Sequence, residues 1–330
     1  MHPILNINKK KKKNKSEKID NKRPLIAHLC LFCSGAFWGL MAPVGKDAMM
    51  HGIDGIDLVS FRVLGGAILF WLTSFFTKKE KVPVKDIFLF GAAGIFALVF
   101  NQCSYTIGLN MTSPSNSSIM TTSMPIFAMV LSFLILKEPI TWKKLVGVLM
   151  GCVGAIIIIT TSATSGNAKV GNIWGDLLCM SAQLSFALYL ALFKNLLSKY
   201  SLFTINKWMF TWATIVIWPF TIGHVGAIDF ASVPMSTWWE AGYVIFFGTY
   251  LGYICMMIGQ KTLRPTVVSV YNYVQPVVSV SVSVMASLAV FKGMQAFAAL
   301  LIFSGVWLVV KSKSKRDMEK EKQKLAKSEA

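Results

Sequence analysis

Acidic residues are scarce in this sequence. Of 330 residues only 15 are Asp or Glu. Those between the tails are Asp47, Asp54, Asp57, Glu80, Asp86, Glu138, Asp176, Asp229 and Glu240, all at the ends of apolar runs or in the polar breaks between them. No carboxylate sits where the middle of a membrane would be, which argues against a plain mid-membrane proton relay. There are no paired deep aspartates, no His-Glu-x-x-His and no serine with a deep histidine, so nothing points to an intramembrane enzyme. Gly-x-x-x-x-Gly-Lys-Ser/Thr is also missing, which argues against direct ATP-driven work by this chain. Cysteine is sparse too. The six thiols, Cys30, Cys33, Cys103, Cys152, Cys179 and Cys255, lie inside apolar stretches. Cys30-Leu-Phe-Cys33 has redox or metal spacing but no His or acid beside it, and it reads as small buried hydrophobes. No metal and no cofactor is expected.

Apolar residues are abundant. They make up 54% of the chain, against 15% charged, and mean hydropathy is +0.57. An ordinary soluble domain is about 25% charged. Apolar runs near 25–45, 56–76, 86–108, 115–136, 144–161, 172–193, 203–222, 239–259, 265–288 and 294–311 each match the ~20 residues that cross a bilayer as a helix. The expectation is an all-α membrane protein with ten transmembrane helices.

The formal net charge of +18 is concentrated at the ends. Residues 1–23 carry nine Lys/Arg and two acids, and 311–330 carry eight and four. These runs flank apolar spans, so they read as topology determinants touching anionic membrane lipid rather than nucleic acid. The basic stretch followed by a full span does not read as a cleavable leader. With a cytoplasmic N-terminus, the cytoplasmic loops contain Lys78, Lys79, Lys81, Lys85, Lys137, Lys143, Lys144, Lys194, Lys199, Lys261 and Arg264. The opposite loops contain only Lys46, Lys169 and Lys292. This places a multi-pass chain in the cytoplasmic membrane with both termini inside.

The sequence also repeats itself. Ile107-Gly108, Pro114, Ser118, Pro125 and Gly154 have counterparts about 151 residues later in Ile258-Gly259, Pro265, Ser269, Pro276 and Gly305. Phe37 through Lys46 resembles Ser185 through Lys194 at an offset of 148. Each unit holds five spans, an odd number, so the second enters from the opposite side: two inverted five-helix repeats, with a solute site expected near the midplane between them. The expected divisions are a basic tail 1–24, repeats 25–161 and 172–311, and a charged tail 312–330.

With Ala36-Phe37-Trp38-Gly39, Ser60-Phe61-Arg62, Leu136-Lys137-Glu138-Pro139-Ile140-Thr141 leading to Gly147 and Gly154, and Gly175-Asp176-Leu177-Leu178, the chain resembles the EamA-type members of the drug/metabolite transporter superfamily over roughly 25–311. The resemblance implies ten helices, cytoplasmic termini, alternating access through a central cavity, and export or exchange of amino acids, nucleotide-related compounds or other small metabolites. The Lys137-Glu138-Pro139 motif departs from the internal symmetry: Leu288-Ala289-Val290 stands in its place in the second half.

Polar side chains deep in spans are costly unless they face a cavity or a partner. The candidates for solute binding are therefore Trp38, Asn101, Tyr105, Asn116, Met120, Ser123, Gln183, Tyr250, Tyr253, Tyr271, Asn272 and Gln275. The bland alternative is that these groups glue helices together. Such a pocket, free of fixed charge, suits a neutral, zwitterionic or aromatic solute. Pro125 and Pro276 read as mid-helix kinks and hinges. Arg62, about two turns into its span, reads as a structural residue holding a carbonyl, with snorkelling and carboxylate binding as its other readings. Gly147-Val-Leu-Met-Gly151 permits close helix contact, within the chain or in a homodimer. The reading is a secondary transporter of a small-molecule solute; the alternative is a non-transporting membrane receptor or assembly protein.

Overall fold

The computed structural model describes residues 3–111, 120–162, 173–285 and 293–328. Among these every regular element is helical, as lipid demands of backbone groups that have no water to bond. Helix α1 is Pro3–Met50 and α2 is Gly55–Phe75. Helix α3, Val84–Gly94, passes through a π-helical turn, Ile95–Phe100, into α4, Asn101–Met111. Then come α5 (Met124–Leu136), α6 (Trp142–Ser162), α7 (Ile173–Leu192), the short α8 (Lys194–Lys199) and α9 (Leu202–Gly226). Helix α10, Met235–Tyr243, passes through a second π segment, Val244–Leu251, into α11, Gly252–Thr262. Helix α12 (Pro265–Val270) leads through a 3₁₀ turn, Tyr271–Tyr273, into α13 (Val274–Met285). Helices α14 (Gly293–Val310) and α15 (Lys315–Ser328) complete the described chain.

Six stretches are long and apolar enough to cross a membrane: Pro24–Met41, Gly55–Phe75, Val84–Gly108, Ile173–Leu192, Leu202–Gly226 and Met235–Thr262. Met124–Leu136 and Ala296–Val310 are shorter apolar helices. The outer surface is apolar, and exposed tryptophans gather toward its two ends. Trp142 (79% exposed) and Trp307 stand toward the end bearing the basic loops, and Trp174 and Trp239 (74%) toward the other. Indoles favour that interfacial depth.

Local chemistry sets the boundaries. Asp54 caps α2, accepting from Ile56 N at 2.8 Å and Asp57 N at 2.9 Å, while Asp57 Oδ2 accepts from Asp54 N at 3.3 Å. This reciprocal cap satisfies donors that the first turn leaves open. Lys137 ends α5 with φ 54°, in the left-handed region. Pro125 and Pro276 do not kink continuous helices. Each lies in the first turn of a helix that resumes after an interruption, at Thr122–Ser123 before α5 and at Tyr271–Tyr273 before α13. A proline there loses no helical hydrogen bond, which is why the break precedes it.

Helix α6 lies along α14, and α2 along α9. Helix α1 packs on α11 and α13, while α7 packs on α4 and α5. The Gly147–Gly151 face is occupied within the chain. A methyl at Gly147 would stand 2.6 Å from the Gly305 carbonyl oxygen, and one at Gly151 would stand 2.4 Å from the Tyr273 ring. Tyr273 is fully buried and donates to Val148 O at 3.2 Å and Thr122 O at 3.3 Å. The interruption before α13 thus bonds a carbonyl exposed by the interruption before α5.

Candidate functional site

The two π segments organise the centre of the molecule. A π turn winds more widely than an α turn and leaves carbonyls without their usual partner. Neighbouring helices supply donors. Ser185 of α7 donates to Phe96 O at 2.7 Å, and Trp38 of α1 donates through its indole to Gly248 O at 2.8 Å. Nearby, Ser34 donates to Gly252 O at 3.0 Å and Asn101 to Ala182 O at 2.8 Å. These bonds fix α1 against α11 and α7 against α4, and a cavity of about 220 Å³ lies between them. That is small beside the ~300–1,000 Å³ of drug-sized sites.

The cavity runs from Trp38, Asn272 and Gln275 to Met49 and Gly55. Trp38 and Met49 belong to one helix, so its length is roughly 16 Å at ~1.5 Å per residue. Amides line one part: Asn101, Gln102, Gln183, Asn272 and Gln275. Tyr105, Tyr253, Thr106 and Thr121 add hydroxyls, and Met41, Leu58, Val59, Phe186 and Val244 form an apolar wall. No Asp or Glu is among the lining residues. Toward the basic loops a cleft of about 10 Å³ lies between Ser34, Trp38, Met124, Tyr271 and Asn272. There Asn272 Nδ2 lies 3.1 Å from Met124 Sδ, Gln275 donates to Asn272 at 3.2 Å, and His28 bonds the Tyr271 hydroxyl at 2.8 Å.

Of the residues singled out in the sequence, Trp38, Asn101, Tyr105, Gln183, Tyr253, Asn272 and Gln275 stand on the cavity wall. Tyr271 borders the small cleft instead. Tyr250 is turned away: its hydroxyl bonds Thr73 at 2.7 Å and its ring packs on Phe70. Met120 and Ser123 lie off the cavity, and the Ser123 hydroxyl donates to Met120 O at 2.6 Å. Asn116 and Pro114 fall outside the described residues.

The expectation of a pocket without fixed charge is corrected by Arg62. Its side chain lines the cavity although only 8% of the residue is exposed. It ties two side chains of distant elements. Nε donates to Thr249 Oγ1 at 3.0 Å and Nη1 to Gln102 Oε1 at 2.7 Å. Thr249 is itself fixed by donating to Val244 O, five residues back along the π segment, at 3.0 Å. Gln102, a deep amide beside Asn101 in the same span, also lines the cavity.

Known proteins share this sequence and fold. The model of the EamA-like transporter family matches residues 25–160 and 173–311. The uncharacterized transporter YetK of Bacillus subtilis (strain 168) is 23% identical over 301 residues, 90% of each chain. An uncharacterized transporter of Archaeoglobus fulgidus is 27% identical over 253 residues, covering 74% of this chain and 83% of that one. The S-adenosylmethionine uptake transporter of Rickettsia felis matches a smaller part, 21% identical over 146 residues, 42% of this chain and 49% of its own. One crystal structure superposes with a TM-score of 0.67 at 17% identity over 87% of this chain and 96% of that one, a likeness of fold alone. The chain is a multi-pass membrane protein and a member of the EamA-like transporter family.

Proposed function

We propose that this chain is a secondary transporter that exports or exchanges a small metabolite by alternating access, through the central cavity between two inverted five-helix repeats. The repeats are 25–161 and 172–311, flanked by basic tails on the cytoplasmic face of the cell membrane. The observation that carries the reading is the cavity itself: helices of both halves wall it, and its lining mixes amides, aromatic rings and a buried cation. Helix packing supports the repeat. Helix α6 lies on α14 and α2 on α9, while the pair α1 with α11 mirrors the pair α7 with α4. Both π segments and both interrupted helices recur about 149 residues apart, at Ile95 and Val244 and at Thr122 and Tyr271. With the basic loops inside, the cavity reaches toward the exterior and is narrowed toward the cytoplasm.

The test is uptake and counterflow of labelled amino acids and related metabolites in proteoliposomes, with and without a pH gradient. S-adenosylmethionine belongs in the panel because a partial relative carries it in its name. Saturable flux that Asn101→Ala or Tyr253→Ala reduces is the expected result. Solute binding without flux favours the receptor or assembly reading.

A further inference from the structure

Arg62 is a buried cation with no carboxylate partner among the described residues. It lies seven residues into α2, roughly 10 Å from the helix start at ~1.5 Å per residue. At the centre of a membrane helix an arginine costs about 2.5–3.5 kcal/mol on insertion scales. Buried cations are ordinarily paired with a carboxylate. Arg62 makes no ion pair among the described residues, and no acid lines the cavity beside it. Its two partners, Thr249 and Gln102, are neutral.

A purely structural tie between α2, α4 and the second π segment does not explain a full charge. Neutral amides tie helices elsewhere in this bundle without desolvating a charge, as Asn101 does to Ala182 O. Guanidinium has five N–H donors, and these bonds use only one on Nε and one on Nη1. What remains is the donor pattern that grips a planar anion in two parallel bonds. Thr249 and Gln102 hold the head in place while leaving those donors beside the cavity.

We infer that Arg62 is the anion anchor of the solute site and that the transported metabolite carries a carboxylate. The inference rests on reading this cavity as the solute site. Arg62 is the one Lys or Arg among the described lining residues, and one arginine balances one negative charge, which favours a carboxylate over a doubly charged phosphate. Amide oxygens of Asn101 and Gln183 and the faces of Trp38 and Tyr253 are suited to an ammonium group, so a zwitterion fits as well as a monoanion. Met41, Met49, Leu58 and Phe186 receive an apolar side chain. Solutes with no anionic group leave the guanidinium desolvated and unpaired.

The experiment uses the full chain in detergent and in proteoliposomes. Amino acids and their 2-oxo acids are compared with carboxamides of the same shape and with phosphonate analogues, by thermal stabilisation and by counterflow. Acids are expected to bind the wild type roughly tenfold to a hundredfold more tightly than their carboxamides, the size of a lost charge-assisted bond. Arg62→Gln is expected to erase that preference. Arg62→Lys is expected to retain a weakened one, since it keeps the charge and loses the fork. Carboxamides matching acids on the wild type overturn the inference, and that comparison needs no variant. So does the absence of stabilisation by every acid tested, or stronger binding of phosphonates. Neutral solutes transported without regard to Arg62→Gln overturn it and leave the transporter standing. Acids that bind through Arg62 but never cross the membrane sustain it and sink the transport reading.

Discussion

The two ends of the helix bundle are held by different forces. At the end bearing the basic loops, charged side chains tie distant segments. Both Glu80 oxygens accept from the Ser201 backbone N–H, at 2.9 and 3.0 Å. The Tyr200 hydroxyl donates to Asp86 at 2.5 Å, Lys199 stands 3.9 Å from the same carboxylate, and Lys261 donates to the Tyr200 carbonyl. Glu138 meets Lys144 at 3.5 Å and Lys194 at 3.3 Å. Glu80, Asp86 and Glu138 come from the first half of the chain; Lys194, Lys199, Tyr200, Ser201 and Lys261 come from the second. At the other end the ion pair among the described residues is local, His51 with Asp47 one turn away, and the Glu240 carboxyl of the second half joins Asp47 there. Ile53, Leu58, Val233, Ala241 and Val244 pack there instead. Apolar contacts slide, whereas ion pairs are made or broken. On the proposed alternating-access reading, opening the polar end means parting these pairs.

Glu138 is the place to break the comparison hardest. Lys144 is 1% exposed and Glu138 7%, so removing the carboxylate strands a buried ammonium. Glu138→Gln is expected to destabilise the protein by about 3 kcal/mol, the usual cost of breaking a buried pair. The apparent melting temperature in detergent measures it, and adding Lys144→Met should recover most of the loss. An equal loss in the double variant means the motif acts through backbone shape, not charge. Next in size is Gly147→Val. Its side chain meets the backbone at Gly305, which has no way to yield, and overpacking of that kind costs about 1–3 kcal/mol. This variant should weaken the whole fold without changing which end is closed.

These residues also mark what the sequence revealed. Apolar run length was enough for an all-helical membrane chain, because it follows from bilayer thickness alone; of the ten expected spans, six described stretches are long and apolar enough to cross. The Lys137-Glu138-Pro139 motif was visible as an asymmetry, but not its purpose, because its second partner, Lys194, belongs to the other half. Deep polar residues were visible too; which of them face the cavity was not. Tyr250 and Tyr253 are three residues apart and share a face on a regular α-helix. The π segment Val244–Leu251 ends between them, and its wider winding turns Tyr250 toward Thr73 and leaves Tyr253 on the cavity. Arg62 was readable as a deep charge. Its partners lie 40 and 187 residues away, and no local pattern announces them.

A smaller effect comes from pH. Its hydrogen bond to Asp86 pushes the Tyr200 hydroxyl up to about 12. Burial alone raises the Glu80 carboxyl, but hydrogen bonds from Thr204 and Ser201 outweigh it and leave it below its ordinary 4.5. The signs run opposite ways. Tyr200 contributes fully below pH 10, its ordinary value, and its contribution is lost on the way to pH 12. Glu80 contributes above pH 4.5, and its contribution fades as pH falls further. The polar end should therefore stay closed between these limits and loosen outside them. Labelling of a cysteine placed at Ser201 reports this, and Tyr200→Phe should remove the alkaline limb while leaving the acid one. An unchanged alkaline limb assigns it to other groups.

The smallest expected effect sharpens the boundary between cavity and packing. Tyr250→Phe removes one interhelical hydrogen bond, to Thr73, and keeps the ring against Phe70. Bonds of this kind in membranes are worth about 0.6 kcal/mol on average. The melting temperature should fall slightly, and solute affinity in the counterflow assay should stay at the wild-type value. Tyr253→Phe, three residues on and on the cavity wall, should do the reverse. If Tyr250→Phe instead changes affinity as Tyr253→Phe does, the solute reaches past Phe70 toward α9, and the cavity extends further between α2 and the second π segment than its present walls.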